Sequence, residues 1–170
     1  ANNKRDSAQS INIGIPVSGV PVVGDTALGG MKITLGYEEA DTRATMATDK
    51  RGATVAAVIP VGPLKVGYQK KAYQAVSDSR SEAGKAFYKD DIIGVAYALN
   101  DDLALSYNII ESEKHDHAST GEVEQETKAI NLAYTVGGLT LGFQDAKTSN
   151  AGYSSATDDD TRTISVKTAF

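Results

Sequence analysis

Cysteine is absent from the 170-residue chain, which excludes a disulfide framework and thiolate zinc sites and suits an oxidising compartment, where a free thiol is a liability. No stretch approaches the roughly 18 to 20 consecutive apolar residues that a membrane-crossing helix needs, so a transmembrane helix is excluded as well. Transmembrane strands are not excluded, because about 9 to 11 alternating residues cross a bilayer and leave the overall composition polar. Positive charge is in short supply: 17 Lys and Arg against 22 Asp and Glu give a net charge of -5. That balance argues against nucleic acid as a partner, since a binding face needs clustered cations. Leucine is sparse while Gly (16) and Tyr (8) are frequent, a balance that favours sheet over helix. The length fits one domain of ordinary size or a piece of a larger one. No secretory leader is visible, so the residues read as mature or truncated.

What the chain does have is alternation. Residues 1–10 are polar and aperiodic and read as a loop. Ile11, Ile13, Ile15 and Val17 then alternate with Asn12, Gly14 and Pro16, a candidate strand that Pro16 restricts to an edge or a strand end. Residues 18–30, rich in Gly and Pro, read as an irregular connection. The body of the fold is expected in residues 31–170. Met31, Ile33, Leu35 and Tyr37 alternate with Lys32, Thr34, Gly36 and Glu38, the period of a strand with one greasy and one wet face. Residues 53–59 are small and β-branched without clean alternation, so their facing is left open.

Three hairpins and a final strand follow. Residues 60–63 turn the chain into Leu64, Val66 and Tyr68. Ile93, Val95, Tyr97 and Leu99 return through Asn100, Asp101 and Asp102 as Leu103, Leu105, Tyr107 and Ile109. Ile130, Leu132, Tyr134 and Val136 return through Gly137-Gly138, a standard two-residue turn, as Leu139, Leu141 and Phe143. Finally Ile164, Val166, Thr168 and Phe170 share one face of residues 161–170, with Thr163, Ser165 and Lys167 on the other. Residues 74–85, 111–122 and 145–160 are expected to be polar loops of roughly a dozen residues, long for hairpins. Tight turns would then lie at one end of an antiparallel meander and long loops at the other. The count is eight strands from Met31, nine with the Ile11 strand.

The two registers differ in chemistry. Tyr37, Tyr68, Tyr97, Tyr107, Tyr134, Phe143 and Phe170 all fall on the apolar one, Tyr97 and Tyr134 close to tight turns, Tyr37, Tyr68 and Phe143 nearer the long loops. Aromatic belts at two membrane–water interfaces have this distribution. The opposite register holds Lys32, Lys65, Gln69, Lys71, Asn108, Asn131 and Lys167 among many Gly, Ala, Ser and Thr. Such a set cannot form a dry core, because each unpaired buried polar group costs about 1 to 3 kcal/mol. A water-filled lumen removes that cost.

Here a resemblance enters. The alternating final strand ending in Phe170, with the hairpin rhythm and the aromatic register, resembles the outer-membrane β-barrels of Gram-negative bacteria, and the whole chain resembles the C-terminal half of the general diffusion porins of alpha-proteobacteria. The resemblance implies an antiparallel up-and-down transmembrane β-barrel of about sixteen strands, of which eight or nine are present. It implies an outer-membrane location, a homotrimer, contact with membrane lipids and lipopolysaccharide, and passive diffusion of small hydrophilic solutes and ions. The family's inward-folded constriction loop belongs to its N-terminal half and has no counterpart here. On this reading Lys32, Lys65, Gln69, Lys71, Asn108, Asn131 and Lys167 line the pore, the seven aromatics form the girdle, and residues 53–59 could face a neighbouring subunit. The alternatives are a complete eight-stranded barrel over residues 31–170 with a structural or adhesive role and no open channel, and a soluble lipocalin-like binder with apolar side chains inside.

Catalysis is not expected. No nucleophile elbow, phosphate-binding loop or Ser-His-Asp order at a workable spacing is present, and no cofactor is implied. His115 and His117, flanked by carboxylates, have the residue types of a divalent-metal site; without a scaffold to fix them they read as a solvated acidic loop. Asp158, Asp159 and Asp160 similarly read as a hydrated loop end, with cation-bridged lipopolysaccharide as the alternative.

Overall fold

In the computed structural model, residues 5–17, 21–22, 26–27, 30–42, 50–74, 86–116 and 123–168 are described. The strands are β1 (Arg5–Val17), β2 (Pro21–Val22), β3 (Thr26–Ala27), β4 (Met31–Thr42), β5 (Lys50–Val61), β6 (Leu64–Gln74), β7 (Ala86–Ala98), β8 (Leu103–Asp116), β9 (Glu124–Val136), β10 (Leu139–Ser149) and β11 (Asp159–Thr168). Nine of them form one antiparallel sheet in the order β1-β4-β5-β6-β7-β8-β9-β10-β11, each strand beside its sequence neighbour; β2 and β3 make a separate two-residue ribbon in the first connection. The only helical element among the described residues is a single 3-10 turn at Ala151–Tyr153. Because every pairing is antiparallel and the count is odd, the two edge strands β1 and β11 run in the same direction.

The tight turns follow from local chemistry. Gly137 and Gly138 both have positive φ (56° and 81°), the mirror-image turn whose twist matches that of the flanking strands and which glycine adopts without a Cβ penalty. At the β7–β8 turn the Asn100 side-chain oxygen accepts from the Asp102 and Leu103 amides at 2.9 and 2.8 Å, doing the work of a backbone turn.

Several boundaries differ from expectation. β1 begins at Arg5, not at Ile11, and pairs with β4 along its length. β8 runs on to Asp116 and β10 to Ser149, while β11 starts at Asp159, so parts of residues 111–122 and 145–160 expected in loops are strand. These extensions are charged and polar instead of alternating apolar with polar, and the cross-strand ladder continues through them. The facing of residues 53–59 is resolved by register: Ala53, Val55, Ala57 and Ile59 lie opposite Tyr37, Leu35, Ile33 and Val66, hence on the apolar face.

Exposure is inverted relative to a water-soluble sheet. Leu132 and Tyr134 are exposed, while Asn131 and Ala133 beside them are half-buried; Tyr68 and Ile93 are exposed, while Gln69 and Ile92 are half-buried. From β4 to β10 the small and polar face is the more covered one. Among the described residues only Gly52, Ala129 and Ser112 are buried, and no large side chain is fully so. The described residues form no sealed hydrophobic core, and most of their contacts are between adjacent strands.

The apolar face ends along an oblique line that descends in steps. Moving from the tight turns toward the long connections, its first charged residue is Glu39 in β4, Arg51 in β5, Lys70 in β6, Asp91 in β7, Glu111 in β8, Lys128 in β9, Asp145 in β10 and Arg162 in β11. The ladder rung through Arg162 passes Asp145, Ile130, Tyr107, Val95, Val66 and Ile59. Ile59 is eight residues from Arg51, so the line slips eight residues over the six steps from β5 to β11. At about 3.4 Å per residue and about 4.8 Å per strand, that is about 27 Å against about 29 Å, an inclination of roughly 43°. The tight turns slip the same way. The rung of Leu64, at the β5–β6 turn, reaches β9 at Leu132, four residues short of Val136 at the β9–β10 turn.

Candidate functional site

All seven residues expected on the polar register, Lys32, Lys65, Gln69, Lys71, Asn108, Asn131 and Lys167, share one face of the sheet, because each is an even number of residues along the ladder from the others. They are spread over its height and do not converge on a point. Lys167 lies opposite Thr140 near a tight turn. Lys65 and Asn131 lie on a middle rung, joined through Ala96 and Ser106. Gln69 and Lys71 lie toward the long connections. Their hydrogen bonds run sideways within the face: Gln69 Nε2 donates to Thr54 Oγ1 at 3.2 Å and Asn131 Nδ2 to Ser106 Oγ at 3.3 Å. Thr135 meets Thr140 at 3.0 Å and Thr127 meets Thr148 at 2.9 Å. Small neighbours leave room for these groups. At Gly94 a Cβ would stand 2.6 Å from Asn108 Oδ1, so glycine is what lets that amide lie across the strand. Gly36 and Gly52 floor a hollow of about 360 Å³ bordered by Asn12, Glu38, Thr54 and Lys71.

The opposite face carries the aromatics. Tyr37, Tyr68 and Phe143 each sit two residues before the first charge of their strand, Tyr97 and Tyr134 sit at the tight-turn end, and Tyr107 lies between the two levels. Phe170 lies outside the described residues. Tyrosine hydroxyls join the charged rim: Tyr37 donates to Glu39 at 3.1 Å and Tyr68 to Asp91 at 2.5 Å. The rim is laced with ion pairs, Arg51–Glu39 (2.9 Å), Lys70–Asp91 (3.0 Å), Lys128–Glu126 (2.6 Å) and Arg162–Asp145 (3.2 Å). Exposed pairs of this kind add little stability, about 0 to 1 kcal/mol each, but they mark where the apolar surface stops.

A cluster that the sequence reading passed over lies on the polar face near the long connections. Tyr73 and Tyr88 stack at 4.8 Å, Tyr153 tilts against Tyr88 at 5.7 Å, and Lys71 Nζ stands 4.6 Å above the Tyr73 ring. Ser112, 5% exposed, donates to Asp90 at 2.5 Å and meets the Tyr153 hydroxyl at 2.8 Å. The available signal was parity: Tyr73 and Tyr88 fall on the wet register of their strands. The metal reading gains no support. His115 lies 3.2 Å from Glu113 and against Phe87, His117 is outside the described residues, and among those described no three His, Asp or Glu side chains come together as ligands.

No family model, curated protein or solved structure matches the chain.

Proposed function

We propose that this chain is a large part of an outer-membrane porin, its apolar face toward lipid and its polar face toward a water-filled passage for small hydrophilic solutes and ions. The oblique charge line carries this reading. If the strands cross a slab at roughly 43°, the rim of first charges becomes level with the slab, and membrane barrels tilt their strands by about 35 to 45°. A soluble sheet has no reason to keep exposed apolar residues beneath one inclined edge. The apolar band spans about seven residues, as from Ile130 to Val136, or about 17 Å along the membrane normal after tilting. Outer-membrane bands are about 25 Å tall. Tyrosine rings and the alkyl stems of Lys70, Lys128 and Arg162 extend the band at its rim.

The inverted exposure agrees: on a sheet curved around its polar face, small polar side chains crowd together and apolar ones splay outward. Strand direction favours a large barrel over the eight-stranded alternative. β1 occupies the edge of β4 that an eight-stranded closure would need for β11. Antiparallel closure of nine strands requires an odd number more, and sixteen would require seven, which the resemblance assigns to the same polypeptide. The homotrimer and the contacts with lipid and lipopolysaccharide belong to this proposal by the same resemblance.

Planar-bilayer recording tests it. Stable open channels are expected, and Lys65→Glu/Lys71→Glu should move the reversal potential in a salt gradient toward the cation limit by on the order of 10 mV, because two charges on the wall change sign. Silence would overturn the channel. Open channels without a shift would remove those lysines from the wall.

A further inference from the structure

The connection between β10 and β11, residues 150–158, does not stand away from the sheet. Asn150 Nδ2 donates to the Glu124 carbonyl at 2.8 Å, and the Gly152 amide donates to Gln125 Oε1 at 2.8 Å, so the connection is tied to the top of β9, with Gln125 on the polar face. From there Tyr153 reaches past β9 to β8 and β7. Its hydroxyl meets Ser112 Oγ, and Ser112 in turn donates to Asp90 Oδ1. Proton count fixes the direction: the Ser112 proton is spent on the carboxylate, so Tyr153 donates to Ser112. The Tyr153 ring closes the row Tyr73–Tyr88–Tyr153.

Its backbone is held under strain. Asn150 (φ 53°), Tyr153 (φ 59°) and Ala156 (φ 63°) are the three non-glycine residues with positive φ among those described, and all lie in this one connection. Such conformations are costly and persist only where surrounding bonds over-determine them. Here those bonds are visible. Ala151 N donates to the Thr157 carbonyl at 2.7 Å, Tyr153 N to the Asn150 carbonyl at 2.9 Å, and Ala156 N to Asn150 Oδ1 at 3.3 Å. A solvated loop of this length has no need of left-handed tyrosine and alanine.

We infer that residues 150–158 form a fixed shelf over the polar face, latched by Tyr153 through Ser112 to Asp90, and that Tyr153 limits the width of the passage beside β7, β8 and β9. This rests on the polar face being the wall of a channel. The shelf itself does not, so the two are tested separately.

The latch is read by proteolysis of the purified full chain in detergent. Chymotrypsin cutting after Tyr153, followed by the mass of the released fragment, should be slow in the natural protein. It should be about tenfold faster in Ser112→Ala, which keeps the ring but removes the hydroxyl that holds it. Equal rates would overturn the latch, whether or not channels form. The restriction is read in planar bilayers. Tyr153→Gly removes the ring and suits the left-handed backbone; it should raise single-channel conductance by roughly 1.5-fold, while Tyr153→Phe keeps conductance but adds open-channel noise. Unchanged conductance in Tyr153→Gly, with the natural protein open, would overturn the role of Tyr153 in setting width.

Discussion

If the apolar face meets lipid as proposed, an arginine in place of Leu132 is expected to cost about 2 to 4 kcal/mol of folding stability in lipid vesicles, the penalty for a guanidinium at mid-depth on the lipid side of a barrel. Leu132 shares its rung with Leu105 and Phe143, is 38% exposed, and has apolar neighbours two residues away on both sides, Ile130 and Tyr134. A charge there cannot reach the rim by extension alone. Asn131→Arg, one residue earlier, turns the same group to the polar face beside Ser106 and Gln144, where water solvates it, and should cost less than about 1 kcal/mol. Urea titrations of folding into vesicles measure both. Equal losses would contradict the assignment of faces, and a larger loss for Asn131→Arg would reverse it.

Replacing both turn glycines, Gly137→Val/Gly138→Val, should destabilise by about 2 to 4 kcal/mol. Each position needs positive φ, where a β-branched side chain is strained by about 1 to 2 kcal/mol. The loss should be concentrated in this hairpin, because β9 and β10 have no shorter way to pair in their register. The contrasting change is Gly67→Val. Its φ is not positive, and the nearest neighbour to an added Cβ is Val58 Cγ2 at 3.8 Å, so it should cost clearly less. If the double turn variant unfolds at the same urea concentration as Gly67→Val, the turn is not what holds the register.

Where alternation and turn chemistry agreed, the fold was legible. The hairpins through Asn100 and Gly137-Gly138 stand as read, because period-2 patterning and turn residues report the same local geometry that the ladder then stabilises. Legibility failed where strands outlast their apolar stretch. Glu111, Glu113 and His115 continue the outward register of β8, but a run of charge at strand spacing has the composition of a loop. Residues 53–59 could not be faced from their own composition, since Ala and Val suit either side; their partners in β4 decided it. The polar register was readable residue by residue, whereas its internal bonds were not: Ser112 and Tyr153 lie 41 residues apart, and nothing in Tyr153 or Ala156 announces a left-handed backbone.

The sharpest test uses the absence of native cysteine. Single cysteines placed one at a time at residues 130–136 of β9, in protein folded into vesicles, should label in strict alternation. Asn131, Ala133 and Thr135 positions should react with a water-soluble maleimide, while Ile130, Leu132 and Tyr134 positions should resist it and, once carrying a fluorophore, be quenched by brominated lipid. The opposite phase, or no alternation at all, would contradict the claim that this sheet turns its greasy side to hydrocarbon and its wet side to a passage.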